Sequence, residues 1–187
     1  MSNVSHHQEL NDMRTLLPLL LALSTSGCAV TSTEVNVALA RVGTRSAIRV
    51  EDVRLNKQLY MSAIALGGQA STYPLTPSPP LDIALMERLA AGQSLKTSDV
   101  GTSVAIQSID LKNRVGFGTA DDLTCAIESS VTRKAGAREA GLRVRSFSRS
   151  QTNMSPFIRT AAEVILRQCL EQHAKDILQF VVVSGDG

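Results

Sequence analysis

Tryptophan is absent from the chain, and aromatic residues of any kind are scarce, with two tyrosines and four phenylalanines. So thin a supply excludes the stacking platforms with which proteins hold single-stranded nucleic acid or sugars. Charge is equally sparing. A formal net charge of +2 gives the whole molecule no pull toward nucleic acid, and no nucleic-acid partner is expected. Of the three histidines, His6 and His7 stand together near the start, leaving His173 as the only one in the body of the chain. With cysteines as few, no zinc set can be assembled, and neither a metal nor another cofactor is expected. What is present is the composition of a chain able to bury a core, 43% hydrophobic and 19% charged.

One apolar run stands near the start, too short for the roughly 20 residues a bilayer span needs. Residues 13–28 read MRTLLPLLLALSTSGC. Arg14, the apolar run from Leu16 to Leu23 and a small-residue tail ending in Gly27 are the three parts of a secretory signal. Cys28, directly after Ser26 and Gly27, makes the stretch resemble a bacterial lipoprotein signal. That resemblance implies that Cys28 is lipidated and becomes the first mature residue. Thr25 stands where such signals usually carry leucine, so an ordinary signal peptide with a nearby cleavage site is the alternative. Residues 1–12 carry Glu9 and Asp12 ahead of a region that should be positive, which points to Met13 as the true start. Export would remove His6 and His7, so neither is a site candidate. The expected division is a signal peptide over residues 1–27, a lipidated tether over 28–34 and a single domain over 35–187.

Within that domain the hydrophobic period switches twice. Val35, Val37 and Leu39 alternate with smaller or polar residues, as a strand requires, and Gly43 to Ser46 breaks the pattern. A second strand over 47–55 changes phase after Val50, which predicts a bulge or an end near Glu51 and Asp52. Residues 58–66 fit a strand or a poor helix, and the lack of charges and the closing Gly67 and Gly68 favour a third strand. Residues 67–80 hold Pro74, Pro77, Pro79 and Pro80, which predicts an extended loop, with a polyproline ligand as the less favoured reading. Ser78 as N-cap and Pro79 in the first turn open a helix whose buried stripe is Leu81, Leu85 and Leu89, flanked by Ile83 and Met86 and closed by Gly92. Strand patterning resumes at Thr102 and slips phase between Ile106 and Ile109. A turn over 112–122 containing Gly116 and Gly118 lacks the lysine and helix of a phosphate loop and reads as a hairpin. Leu123, Cys125 and Ile127, then Leu142 and Val144, mark two more strands joined near Gly136. The last helix takes Ser155 and Pro156 as its start. It sets Arg159, Glu163, Arg167, Glu171 and Lys175 four apart on one face, and Ile158, Ala162, Ile165 and Cys169 on the buried one. Residues 180–183 read as a short terminal strand.

The order strands, helix, strands, helix predicts an α+β domain, a largely antiparallel sheet with two helices packed on one face. Together with Cys28, the strand region 35–66, the helix at 81–91, the strands carrying Cys125 and Val144 and the closing helix, the chain resembles small envelope lipoproteins of Gram-negative bacteria. The types it resembles are the YajG-like lipoproteins, the lipopolysaccharide-assembly lipoprotein that plugs an outer-membrane barrel, and the auxiliary lipoproteins of envelope ABC transporters. The resemblance implies a non-catalytic accessory or scaffold for an envelope protein complex, tethered to the periplasmic face of the outer membrane. The alternative is a component of lipid or lipopolysaccharide transport.

Candidate residues are few. Cys125 and Cys169 both fall on inward faces, and either pair in an oxidising compartment or stay as two buried thiols. His173, beside the apolar face of the last helix, reads as a core-boundary residue, since no serine or cysteine can be placed near it. The neighbours Asp121 and Asp122, like Glu51 and Asp52, point to opposite faces of a strand and are poorly placed for joint acid/base work. No catalytic residue is expected. Residues 131–150 hold Arg133, Lys134, Arg138, Arg143, Arg145 and Arg149 against the single acid Glu139. Arg143 and Arg145 alternate with Leu142 and Val144, which predicts one basic and one buried face. Such charges commonly keep an edge strand soluble. The functional reading is contact with an acidic partner or with anionic lipid.

Lipid attachment is directly testable. Cys28→Ala is expected to abolish acyl labelling of the chain in cells and to release it from the membrane fraction or leave it uncleaved. Wild-type chain recovered unlabelled in the cytoplasm would remove the export signal and the envelope assignment together.

Overall fold

Alternating apolar and polar residues line up in one seven-stranded sheet, with the apolar set on a single face. The computed structural model describes residues 34–42, 47–65, 68, 70–92, 101–115, 120–135, 138–152 and 158–183. The chain divides into two units, Met1–Thr31 and Ser32–Gly187, and every described residue belongs to the second. The signal stretch, Cys28, the break over 43–46, the glycines at 116 and 118, and the Ser155 and Pro156 cap lie outside the described residues.

The strands are β1 (Val35–Ala38), β2 (Arg49–Asp52), β3 (Leu59–Ile64), β4 (Ala70–Ser78), β5 (Thr102–Arg114), β6 (Asp121–Ala135) and β7 (Arg138–Thr152). Helix α1 (Leu81–Gly92) follows β4, and α2 (Ile158–Val183) follows β7. Across the sheet the order is β1, β4, β3, β5, β6, β7, with β2 also paired to β5. The long β5–β6 and β6–β7 ladders and the β3–β4 pair are antiparallel, while β1–β4, β2–β5 and β3–β5 are short and parallel. The predicted phase slip in β5 is a register shift against β6 between Ile106 and Ser108. The predicted one in the second strand is an end, since β2 stops at Asp52.

Three expectations are overturned. Residues 70–78 form β4, although Pro74 and Pro77 lie inside it. Pro74 pairs across to Tyr60 of β3 at a point where β1 has not begun, and Pro77 pairs with Val37 of β1 where the β3 ladder has ended. Each proline has a strand on one side only, so its missing N–H can face the open side. Ser78 closes this strand, so it does not cap α1. Pro80 stands at that position, and its carbonyl accepts from the Ala84 N–H at 2.8 Å. Residues 180–183 continue α2, with Ile177 and Val181 buried one turn apart. The Arg133 guanidinium donates to the Val181 carbonyl at 3.1 Å, and so holds an acceptor that the end of the helix leaves unpaired.

Both helices cover the same face. Leu59, Met61, Leu111, Leu123, Cys125 and Ile127 point into it and form one core with Leu81, Leu85 and Leu89 of α1 and Ile165, Leu166 and Leu170 of α2. Among the described residues no helix covers the other face. Cys125 and Cys169 form a disulfide with their Cα atoms 6.0 Å apart, inside the ~7 Å limit for bridging. The bond spans 44 residues, and closing a loop of that size removes about 4 kcal/mol of unfolded-state entropy. Urea melts with and without reductant are expected to differ by about that amount. An unmoved midpoint on full reduction would show that the bond adds nothing beyond the packing around it.

Candidate functional site

Helix α2 runs along β6 in the same direction, since Cys169, His173 and Val181 meet Cys125, Ser129 and Arg133 in order. One turn beyond the disulfide, His173 is fully buried, with Nδ1 2.7 Å from Ser146 Oγ and Nε2 2.8 Å from Ser129 Oγ. This corrects the expectation of a boundary histidine with no serine near it. Ser129 and Ser146 occupy inward positions of β6 and β7, and a polar residue there needs a partner. Their strand phase was the signal that could have found them.

The proton order follows from counting donors. Ser146 Oγ lies 2.5 Å from Asp176 Oδ2 and donates to it. With its one hydrogen spent, Ser146 must accept from His173 Nδ1–H, and Nε2 then accepts from Ser129. Burial pushes the His173 pKa down to about 4, partly offset by the charge of Asp176. The ring is therefore neutral, as the donor count requires. Serine, histidine and aspartate in contact are the residue types of nucleophilic catalysis. Here Ser129, Ser146 and His173 are sealed between sheet and helix, so the trio joins two layers and offers no access to a substrate.

The basic hairpin is largely spoken for. Arg143 pairs with Glu128 at 3.2 Å, Lys134 with Glu139 at 3.9 Å, and Arg149 with Asp122 through two bonds of 2.7 and 3.0 Å. Asp122 raises the pKa of the Arg149 guanidinium by hydrogen bond and charge. Arg133 is engaged with the end of α2, and the Arg138 side chain lies outside the described residues. The expected basic excess ignored the acids of β6 that face β7. Arg143, Arg145 and Arg149 are exposed and Val144 is buried, as the alternation predicts, but Leu142 is exposed. Asp121 is buried while Asp122 faces out, as expected of neighbours on a strand. Among the described residues no group of three or more His, Cys, Asp or Glu comes together as metal ligands. Within the same residues no helix is long and apolar enough to cross a membrane.

A feature the sequence reading passed over lies where β2 ends. Arg54 folds back to bond both oxygens of Asp52, at 2.9 and 2.8 Å, and the Lys57 carbonyl at 2.9 Å. Burial works against the charge on Asp52, but the hydrogen bonds and charge of Arg54 hold its carboxyl below the usual value. The braced turn presents Leu55 fully to solvent, with Val53 and Tyr60 exposed nearby. These residues, with Ile109, line an open groove of about 660 Å³. Its signal in the sequence was the phase change that put Val53 and Leu55 out of step with Ile48 and Val50.

No family model and no curated protein matches the chain. Among solved structures, the chain is similar to an uncharacterized protein at 12% identity and a TM-score of 0.44, over 78% of this chain and 99% of that one. It is similar as well to a Xanthomonas campestris protein of the DUF330 family, at 13% identity and a TM-score of 0.46, over 84% of this chain and 90% of that one.

The buried histidine makes stability depend on pH. Its pKa is about 4 folded against about 6.5 unfolded, so between those values the unfolded chain binds the extra proton. Stability contributed by the neutral ring is complete above about pH 6.5 and falls by about 3 kcal/mol as pH drops to about 4. His173→Gln retains an amide that can reach both serines and lacks the titration. Urea melts across pH 4–7 are expected to show that part of the slope in wild type only, and equal slopes would refute it.

Proposed function

We propose that this chain is a non-catalytic accessory lipoprotein, held by lipid on Cys28 to the periplasmic face of the outer membrane. In this reading it works by docking on another envelope protein through the uncovered face of its sheet. The signal-like residues 13–28 support the address. A disulfide in the core is in keeping with an oxidising compartment. The observation that carries the docking reading is the Arg54-braced turn. A fully exposed leucine is normally a minor matter. One held on a turn tied at both ends, beside two further exposed apolar residues and an open groove, gives a partner a preorganised anchor. Such an anchor fits an apolar side chain on the partner's surface.

The second reading is contact with anionic lipid through the hairpin. It rests on Arg145 and Arg114, exposed cations for which the described residues supply no ion pair. Around Arg114, Lys112 and Arg149 there is a hollow of about 300 Å³ bordered by Phe147 and Ile64. Acids on the same strand and on neighbouring strands neutralise most of the neighbouring charge, so the docking reading is preferred.

Photocrosslinking residues placed at 55 and at 145 in the full-length chain in cells separate the two. Position 55 is expected to trap one discrete envelope protein. Leu55→Asp should abolish that protein's copurification while changing folding stability by under about 0.5 kcal/mol, as an exposed site allows. Lipid adducts at 145 with no protein adduct at 55 would overturn the docking reading in favour of the second.

A further inference from the structure

Helices α1 and α2 do not meet along their whole length. At the end of α1 a groove of about 350 Å³ opens between them, walled by Val42, Ala91, Ala174 and Leu178. The two helices come close at Gly92, where a Cβ would sit 2.5 Å from Leu178 Cδ1 and push that side chain aside. The groove is otherwise lined by charge, with Arg88, Arg167 and Lys175 against the single acid Glu171.

Arg88 is the unusual member. It is 7% exposed, and its Nη1 donates to the Ala84 carbonyl at 2.8 Å. Its Nε is buried and has no partner. Among the described residues no carboxylate bonds to it. Glu87, the nearest in sequence, turns instead to the Val42 N–H at 3.0 Å, and Glu171 acts on it only through space. Burial lowers the Arg88 pKa and the like charge of Arg167 lowers it further, although Glu171 and Glu87 pull the other way. A guanidinium does not lose its proton in a protein, so Arg88 stays charged, poorly solvated and short of an acceptor. Buried charges in proteins are paired.

We propose that the groove between α1 and α2 binds a small amphiphile, an oxyanion head held by Arg88 and Arg167 with a short apolar body against Val42, Ala174 and Leu178. A planar guanidinium with free N–H groups matches a carboxylate or phosphate. An anion against the accessible edge of Arg88 and against Arg167 adds an acceptor to a guanidinium whose bond is to the Ala84 carbonyl, and relieves the repulsion of the two cations. The last carbonyls of α1 carry partial negative charge at this end of the groove, so the head sits toward the α2 cations. The volume is at the lower end for small-molecule sites, which suits a chain of about eight carbons. This groove is on the helical side of the sheet and does not depend on the docking reading above.

The test uses the folded, disulfide-bonded chain with octanoate, octyl phosphate, octanol and inorganic phosphate, followed by calorimetry and by the side-chain Nε–H resonance of Arg88. Octanoate or octyl phosphate is expected to bind and to shift that resonance, with octanol and inorganic phosphate each at least tenfold weaker. Which of the two amphiphiles binds tighter identifies the head as carboxylate or phosphate. Arg88→Met, which keeps the apolar stem, should weaken binding at least tenfold. Ala91→Phe, at an exposed helix position, should block the groove while leaving Arg88 in place, and serves if the Arg88 variant does not fold. Octanol binding as well as octanoate, inorganic phosphate binding as well as octyl phosphate, or undiminished binding in Ala91→Phe would each overturn the proposal. So would the absence of binding by both amphiphiles.

Discussion

Cys125 points inward from β6 and Cys169 inward from α2, and the bond between them decides which part of the helix lies over which part of the sheet. Much of the interior follows from that alignment. One turn further along, His173 comes down between Ser129 and Ser146. Farther still, Arg133 reaches the Val181 carbonyl at the end of the helix. A bare apolar interface would tolerate sliding of the helix along its ridge, because hydrophobic contact is non-directional. The covalent tie and the directional bonds beyond it admit one register.

That interior also shows how a polar cluster can sit in a core without penalty for unpaired groups. Each proton in the Ser129, His173, Ser146, Asp176 chain has one place to go, and the chain ends on a carboxylate that is only partly buried. Arg88 is the contrasting case. Its surroundings take charge out of water and leave Nε without an acceptor. The two sites have similar burial, and differ in whether the neighbouring elements supply complementary groups.

On the opposite face the sheet settles its charges by neighbour relations across strands. Arg143 stands opposite Ser130 and leans to Glu128, while Arg149 stands opposite Thr124 and leans to Asp122. Diagonal neighbours of this kind are within reach of a long side chain. Glu128 faces Arg145 directly but is taken by Arg143, which leaves Arg145 over. Exposed pairs like these contribute little to stability. Their effect is to remove net charge from a face that composition alone makes look basic, so the apolar turn at Leu55 is its more distinctive feature.

Local pattern determined a good deal of this protein. Alternation placed β1, β6 and β7 and put Cys125 and Val144 inward, and a charge-free run ending in two glycines marked β3. The leucine spacing and the four-residue spacing of charges marked α1 and α2, and the phase slip located the irregularity in β5. These are readable because side-chain direction has a fixed period within an element. What tertiary structure alone decided involves partners distant in the chain. Proline argued for a loop over 70–78, yet β1 and β3 each border a different half of that segment and make it a strand. Residues 181–183 are all valine, a strand-forming type, but burial of Val181 and a bond from Arg133 to its carbonyl keep the segment helical. The pairing of Cys125 with Cys169, the serines around His173, the acids opposite the arginines and the burial of Arg88 all depend on which elements become neighbours. No periodicity records that, because such contacts join positions tens of residues apart whose spacing in sequence carries no trace of their distance in space.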